Sequence, residues 1–233
     1  MLAIHDKDKR VIFSKGKTGT TTLQNALEGI EGWDKVMGEG DTTWYGIGPE
    51  EFGRKARQEE VVATLSALDY DVLFIIRKPW ARYVSGWKEI LQDYISALIP
   101  EDEFIEFWNK LINDPEQLIK YIDRLFYLTQ FVCSEEQTVE HSWGRAFTLH
   151  TNYHTCNWLY MCNQFPNATI IKTENLTSFM RRLGIGSVNK SNVSRQSDID
   201  ALETALKECK HYYLIEKFLL PEQKRYDNIC QRL

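Results

Sequence analysis

The chain has 233 residues, of which 43% are hydrophobic and 26% are charged, a balance typical of a globular protein that buries its own core. Its 28 basic and 33 acidic residues give a formal net charge of −5. That charge argues against nucleic acid as a partner, because surfaces that follow nucleic acid are locally positive. It leaves room for a small basic pocket, since an anionic ligand needs only a few cations and backbone N–H groups.

The cysteines and the first residues bear on the cellular compartment. Five cysteines, an odd number, occur without Cys-x-x-Cys spacing, which predicts reduced thiols and gives no support to a disulfide framework or a zinc site. The first ten residues are polar and charged, and no apolar run approaches the roughly 20 residues of a membrane span. We therefore expect a cytoplasmic protein with no membrane partner, and the lack of a targeting segment favours a prokaryotic or viral source.

The first predicted elements form a strand, loop and helix unit. Residues 11–13 are β-branched and aromatic, the Gly/Lys/Thr-rich residues 15–22 follow, and residues 22–27 begin a helix. Residues 50–68 have a helical pattern and would serve as a crossover. The strongest strand signal is the unbroken apolar run at residues 71–76, which suits a parallel strand buried on both faces.

The second half of the chain is mostly helical in pattern. Its predicted elements are a helix starting at Pro79, helices within 101–131, a strand at 168–171, a helix from 175 to about 184, a loop at 187–197, and helices in 198–233 broken by Pro221. The sequence thus predicts one α/β domain over residues 1–233. A central parallel sheet would be flanked by helices, with a helical insertion at about residues 100–131.

The loop between the first strand and helix has the composition of an anion site. It comprises Lys15, Gly16, Lys17, Thr18, Gly19, Thr20, Thr21 and Thr22, and we call it the phosphate loop. Glycines let successive N–H groups converge on an anion, and the following helix adds the positive end of its dipole. Lysine ammonium groups and threonine hydroxyls supply further contacts. The alternative is a Gly/Thr-rich turn with solvated lysines.

A Walker A loop is the competing interpretation. That motif requires Gly, four residues, then Gly-Lys-Ser/Thr. Counted from Gly16, Thr21 stands where the second glycine should be and Thr22 where the lysine should be. The loop therefore does not match the Walker A motif. A kinase-like phosphotransferase that depends on Mg²⁺ and ATP remains the alternative function.

A second anion-binding group follows the strongest strand. Arg77 leaves its carboxyl end, where ligands lie in open α/β sheets, and a guanidinium can donate two hydrogen bonds to one phosphate. Ser85 comes two helical turns later, so its hydroxyl can approach the same anion. The alternative for Arg77 is an ion pair that caps the strand. We interpret Arg82 as a structural residue of the helix.

Two runs of sequence resemble a known family. Residues 17–21, Lys-Thr-Gly-Thr-Thr, resemble the Lys-Ser-Gly-Thr-Thr loop of sulfotransferases that use 3′-phosphoadenosine 5′-phosphosulfate (PAPS). Residues 77–85 resemble the family's Arg-Asp-Pro-x-x-Arg-x-x-Ser element, with Lys78 in place of the acidic residue. The resemblance is closest in motif order to the carbohydrate (Golgi-type) members. It implies a three-layer P-loop-like fold, with the phosphosulfate on the phosphate loop and the 3′-phosphate on Arg77 and Ser85.

Two weaker similarities to the family follow. The segment around Glu174 resembles a strand followed by Glu-x-Leu, in which we interpret Glu174 as a structural cap. The segment with Asn189 and Lys190 resembles the polar loop on the donor's 3′ side, where Arg195 could add a cation; an ordinary solvated loop is the alternative. The resemblance implies adenosine 3′,5′-bisphosphate as the product and requires no metal.

The acceptor side is less determined. The resemblance implies a hydroxyl or amine acceptor on a small molecule or glycan, which needs a general base. The candidates are Glu39, Asp41 and His154, each with a structural alternative: a turn for the carboxylates and a partly buried position for the histidine. An aromatic platform, or core packing, is expected from Trp44, Tyr45, Trp143 and Tyr153. A binding protein that has lost its base is the third hypothesis.

Overall fold

The structure is a computed structural model in which residues 1–14, 18–28, 30–33, 35–37, 43–44, 56–130, 159, 162, 165–185 and 195–233 are described. Contacts divide the chain into two compact units. The first comprises Met1–Arg77, Tyr160–Val193 and Leu233, and the second comprises Lys78–Leu159 and Ser194–Arg232.

The first unit contains a mixed five-stranded sheet. Its strands are β1 (Leu2–His5), β2 (Arg10–Ser14), β3 (Lys35–Met37), β6 (Asp71–Ile76) and β7 (Thr169–Lys172), and a separate pair is formed by β4 (Thr43–Trp44) and β5 (Ala56–Arg57). The order in the sheet is β3-β1-β2-β6-β7. Strands β2, β6 and β7 are parallel, whereas β1 is antiparallel to both β2 and β3. The α/β class is confirmed, and the predicted central parallel sheet is a mixed sheet in which β2, β6 and β7 are parallel.

The unexpected strand β1 explains the mixed sheet. The first ten residues are charged on average, but Leu2, Ala3 and Ile4 are completely buried. The charged residues of this segment are concentrated in the turn that follows, in which Lys9 has a φ of 49°. A four-residue strand beside such a turn is too short for its apolar pattern to stand out, so its pairing with β2 decides the structure.

Helices pack against this sheet. The first unit contains α1 (Thr20–Leu27), α2 (Gln58–Ala67) and α6 (Leu176–Arg182). One apolar cluster joins α1 and α6 to residues of β2, β6 and β7, among them Ile12, Leu73 and Ile171. Helix α2 contacts β2 and β6. The predicted helix at residues 50–68 therefore begins only at Gln58 among the described residues, because Ala56–Arg57 pairs with Thr43–Trp44.

The second unit is helical. It contains α3 (Pro79–Ser96), α4 (Glu101–Ile112), α5 (Pro115–Gln130), α7 (Gln196–Glu208) and α8 (Tyr212–Cys230). One core cluster is built from buried residues of all five helices, with Trp87 completely enclosed. Pro79 is the first residue of α3, as predicted. The predicted helical region at 101–131 consists of α4 and α5.

Pro221 does not end a helix, contrary to the prediction. It lies inside α8, and the chain instead breaks between α7 and α8 at Cys209–His211, where Cys209 has an extended backbone with ψ 151°. Buried side chains recur along α8 at Ile215, Leu219, Glu222, Tyr226 and Ile229. Packing of this continuous stripe on both sides of the proline offsets the cost of about 3 kcal/mol for an interior proline.

A buried ion pair lies among the helices of the second unit. The Lys88 ammonium on α3 is 3.4 Å from Asp198 Oδ2 on α7, and only 13% and 7% of the two side chains are exposed. The indole N–H of Trp108 on α4 donates to the same carboxylate oxygen at 3.2 Å. This polar group thus joins three helices from inside the core.

Two further findings concern predictions from the sequence. Within the described ranges, no helix combines the length and apolar character required to cross a membrane. Cys162, Cys209 and Cys230 are free thiols. Burial raises the pKa of the Cys162 thiol to about 12, which holds it in the protonated form. Cys133 and Cys156 lie outside the described residues.

Candidate functional site

The candidate site lies where three parallel strands of the first unit end. The register pairs Ser14 of β2 with Ile75 of β6, and Ile76 of β6 with Lys172 of β7. The segments that follow these strands therefore emerge at one edge of the sheet. They are the phosphate loop after β2, Arg77 after β6, and the turn Thr173–Asn175 after β7. In open α/β sheets, this carboxyl edge is where ligands bind.

Gly19 and the start of α1 provide an anion-binding backbone. Gly19 occupies the N-cap position with φ 90° and ψ 21°, in the left-handed region that favours glycine. Among the described residues, no side chain caps the helix at this residue. Thr21 and Thr22 belong to the first turn of α1, whose N–H groups point out of the helix end. Their N–H groups and the helix dipole together favour an anion.

Buried hydroxyls tie the loop to the sheet. Ser14 Oγ and Thr18 Oγ1 form a hydrogen bond at 2.8 Å, and both residues are completely buried. Thr20 is also buried, whereas Thr21 is exposed. The Thr18 hydroxyl, which was predicted to bind a ligand, contacts Ser14 at the end of β2. Among the described threonines of the loop, Thr21 is the one exposed to solvent.

Arg77 supplies a partly buried positive charge at the same edge. Burial lowers the pKa of its guanidinium, and the negative charge of Glu174 opposes that shift. Arg77 lies directly after β6 and Glu174 lies two residues after β7, so the pairing of β6 with β7 brings their backbones together. A desolvated guanidinium at a strand end suits an anionic ligand, which would stabilise its charge as Glu174 does.

Thr173 connects two segments of this edge, and the sequence did not single it out. Its hydroxyl lies 2.9 Å from the carbonyl oxygen of Ile76 and 3.4 Å from that of Thr18, and it donates to both. Leu176 lies against Gly19 from the same direction, since a Cβ on Gly19 would be only 2.9 Å from Leu176 Cδ2. The only signal in the sequence is that Thr173 lies two residues after the strand predicted at residues 168–171.

The second unit holds the remaining residues of the Arg-Lys-Pro element. Ser85 is half-buried on α3, and Arg82 is only 3% exposed, which agrees with its interpretation as a structural residue. Lys78 is exposed and occupies the N-cap position of α3. Arg195, predicted as an added cation, precedes α7 and donates from Nη1 to Asn109 Oδ1 at 3.2 Å.

Several predicted site residues lie outside the described ranges. In the phosphate loop they are Lys15, Gly16 and Lys17, and elsewhere they are Glu39, Asp41, His154, Asn189 and Lys190. Of the aromatic residues predicted for the acceptor side, Trp44 belongs to β4, while Tyr45, Trp143 and Tyr153 also lie outside those ranges. Their roles stay predictions.

Comparisons with known proteins add no family. A scan against protein-family models finds no match, and searches of curated proteins and of solved structures find no significant similarity. Among the described residues, no group of three or more His, Cys, Asp or Glu side chains is arranged to hold a metal ion.

Proposed function

We propose that this protein is a PAPS-dependent sulfotransferase with a P-loop-like fold, which moves the sulfuryl group from PAPS to a hydroxyl or amine acceptor. The observation that carries the proposal is the convergence of a left-handed Gly19, the first turn of α1 and the half-buried Arg77 at one sheet edge. These groups suit a nucleotide that carries anions at two positions. The resemblance of residues 17–21 and 77–85 to the family's two motifs gives this edge its assignment.

In this proposal, the phosphate loop holds the 5′ end of the donor. The first-turn amides of α1 bind non-bridging oxygens, and the hydroxyl of the exposed Thr21 donates a further hydrogen bond. Lys15 contributes positive charge. Lys17 stabilises the negative charge that develops on the bridging oxygen when adenosine 3′,5′-bisphosphate leaves. PAPS itself supplies the activated sulfuryl group, and the chain's task is alignment and charge stabilisation.

The 3′-phosphate would be held by Arg77 and Ser85. A guanidinium offers two parallel N–H donors to a phosphate, so Arg77 is the main contact and the Ser85 hydroxyl the secondary one. Asn189 and Lys190 would cover the same phosphate. The eight-residue spacing from Arg77 to Ser85, which matches the family element, supports this assignment. A cytoplasmic location is part of the proposal.

The acceptor half of the proposal rests on sequence alone. A carbohydrate or other hydroxyl compound would lie beside aromatic residues, with Glu39, Asp41 or His154 as the general base. A base must reach the acceptor's proton within about 3 Å, directly or through one water. Separate substitution of the three candidates would identify the base, because only its removal should abolish turnover while donor affinity persists.

Calorimetric titration of the wild-type chain tests the proposed function. Adenosine 3′,5′-bisphosphate, without metal, should bind with a micromolar dissociation constant, corresponding to about −8 kcal/mol. ATP with Mg²⁺ should bind at least ten times more weakly. Tight binding of ATP with Mg²⁺ and no heat from the bisphosphate would instead support the kinase-like alternative and refute the sulfotransferase proposal.

A further inference from the structure

The side chain of Thr173 lies between the two segments assigned to the donor. Its hydroxyl has one proton, which it donates in a bifurcated hydrogen bond to the carbonyl oxygens of Ile76 at 2.9 Å and Thr18 at 3.4 Å. Ile76 directly precedes Arg77, and Thr18 directly precedes Gly19. One side chain therefore contacts the backbone immediately before each anion-binding group.

Neighbouring residues hold Thr173 in place. Thr173 follows β7, whose last residue, Lys172, pairs with Ile76 of β6. Leu176, three residues later, is buried and lies against Gly19. The turn Thr173–Asn175 is thus fixed to β6 through the ladder and to the loop through an apolar contact. The Thr173 hydroxyl is thereby held within hydrogen-bond distance of both carbonyl oxygens.

We propose that Thr173 is a positioning residue that sets the distance between Gly19 at the start of α1 and Arg77, and so makes the site prefer nucleotides with anions at both the 5′ and 3′ positions. The inference rests on the proposed function. The binding free energies of two anionic groups on one ligand add fully only when the two binding groups of the protein are held at the distance that separates those anions. If that spacing is loosened, the bisphosphate should lose more affinity than a ligand that uses one grip.

The experiment compares adenosine 3′,5′-bisphosphate with adenosine 5′-monophosphate by calorimetry. In Thr173→Val, which keeps the shape and removes the hydroxyl, the bisphosphate should bind about tenfold more weakly and the monophosphate at most about twofold more weakly. Thr173→Ser restores the donor and should restore the wild-type ratio. Thr169→Val, the same change at an exposed position of β7, is the control and should change neither value.

Each outcome decides the matter. Equal losses for both ligands in Thr173→Val, or no loss for either, would overturn the positioning role. If Thr173→Val does not fold, Thr173→Cys takes its place, because a thiol is a weak donor of similar size, and the same ratio is measured. Absence of bisphosphate binding in the wild type would overturn the proposed function and this inference with it, a result distinct from a wild type that binds and a variant that is unchanged.

Discussion

Two partly buried cations, one in each unit, show what separates a structural charge from a candidate binding group. Lys88 is enclosed by helices, with Asp198 at 3.4 Å, and Trp108 donates to the same carboxylate. Arg77 lies at the edge where three strands end, and burial lowers its pKa against the opposing charge of Glu174. Burial is common to both. The difference is the position in the fold, since an edge beside a helix N-terminus can admit an anion.

We expect the largest effect, on the free energy of unfolding, from a substitution that breaks the buried Lys88–Asp198 ion pair. Asp198→Ala leaves the Lys88 ammonium and the Trp108 N–H without their shared acceptor, so the free energy of unfolding should fall by about 3 kcal/mol in urea titrations. Asp200→Ala, at an exposed position of α7, is the control and should change it little. Affinity for adenosine 3′,5′-bisphosphate should stay within about twofold of wild type. A stable Asp198→Ala variant that no longer binds the bisphosphate would show that the Lys88–Asp198 pair serves ligand binding and not stability.

The second largest effect is expected on ligand affinity, when the guanidinium of Arg77 is removed. Arg77→Ala should weaken adenosine 3′,5′-bisphosphate by about 30-fold, or about 2 kcal/mol, since charge-assisted hydrogen bonds to phosphate are lost. The free energy of unfolding should change by less than about 1 kcal/mol. Arg181→Ala removes an exposed arginine of the same unit and serves as the charge-matched control. If Arg77→Ala instead destabilises the fold and binds normally, Arg77 is a structural residue, as Lys88 is.

A third change tests the backbone beside Arg77. Gly19→Ala places a Cβ at φ 90° and 2.9 Å from Leu176 Cδ2, so we expect a loss of about 1.5 kcal/mol in stability and several-fold weaker bisphosphate binding. Gly184→Ala is the matched control, because its φ is 74° and no atom lies within 4 Å of its Cβ. It should lose about 1 kcal/mol with unchanged affinity. Equal loss of affinity in both variants would remove Gly19 from the site.

The smallest effect is expected on the pH dependence of stability, from Cys162, a buried group to which we assign no function. Burial raises the pKa of Cys162 from 9.0 to about 12, so the folded state favours its protonated thiol. The contribution of this protonated thiol to the free energy of unfolding is fully present below pH 9 and is lost as the pH rises from 9 through 12. Between pH 8 and 10, the wild type should lose about 1 kcal/mol more than Cys162→Ala in urea titrations. Equal losses would show that Cys162 ionises freely.

Strong local signals made most of the fold predictable from sequence. The unbroken apolar run at Asp71–Ile76 and the proline that opens α3 are found at the predicted residues. Strand β1 was missed because three apolar residues and His5, beside a charged turn, become a strand only by pairing with β2. Pro221 was misjudged because its local cost is overridden by a buried stripe that is visible only in the packed helix.

The candidate site was predictable only in part. Composition identified the Gly/Thr turn, and in the structure Gly19 is left-handed and α1 begins at Thr20, two residues before the predicted start. Thr18 and Thr173 show the limit, because a threonine hydroxyl has no fixed role in sequence and its partner depends on which carbonyl or hydroxyl lies opposite in the folded chain. No spacing rule indicates that Thr173 lies opposite Ile76 and Thr18, which are 97 and 155 residues away.

We propose above that the edge formed by β2, β6 and β7 binds the donor nucleotide. A crystal structure of the wild-type chain with adenosine 3′,5′-bisphosphate tests it most directly. The claim predicts the 5′-phosphate on the amides at the start of α1 and the 3′-phosphate within hydrogen-bond distance of the Arg77 guanidinium. A bisphosphate bound elsewhere, or at this edge with neither phosphate contacting Arg77 or the loop, would contradict it.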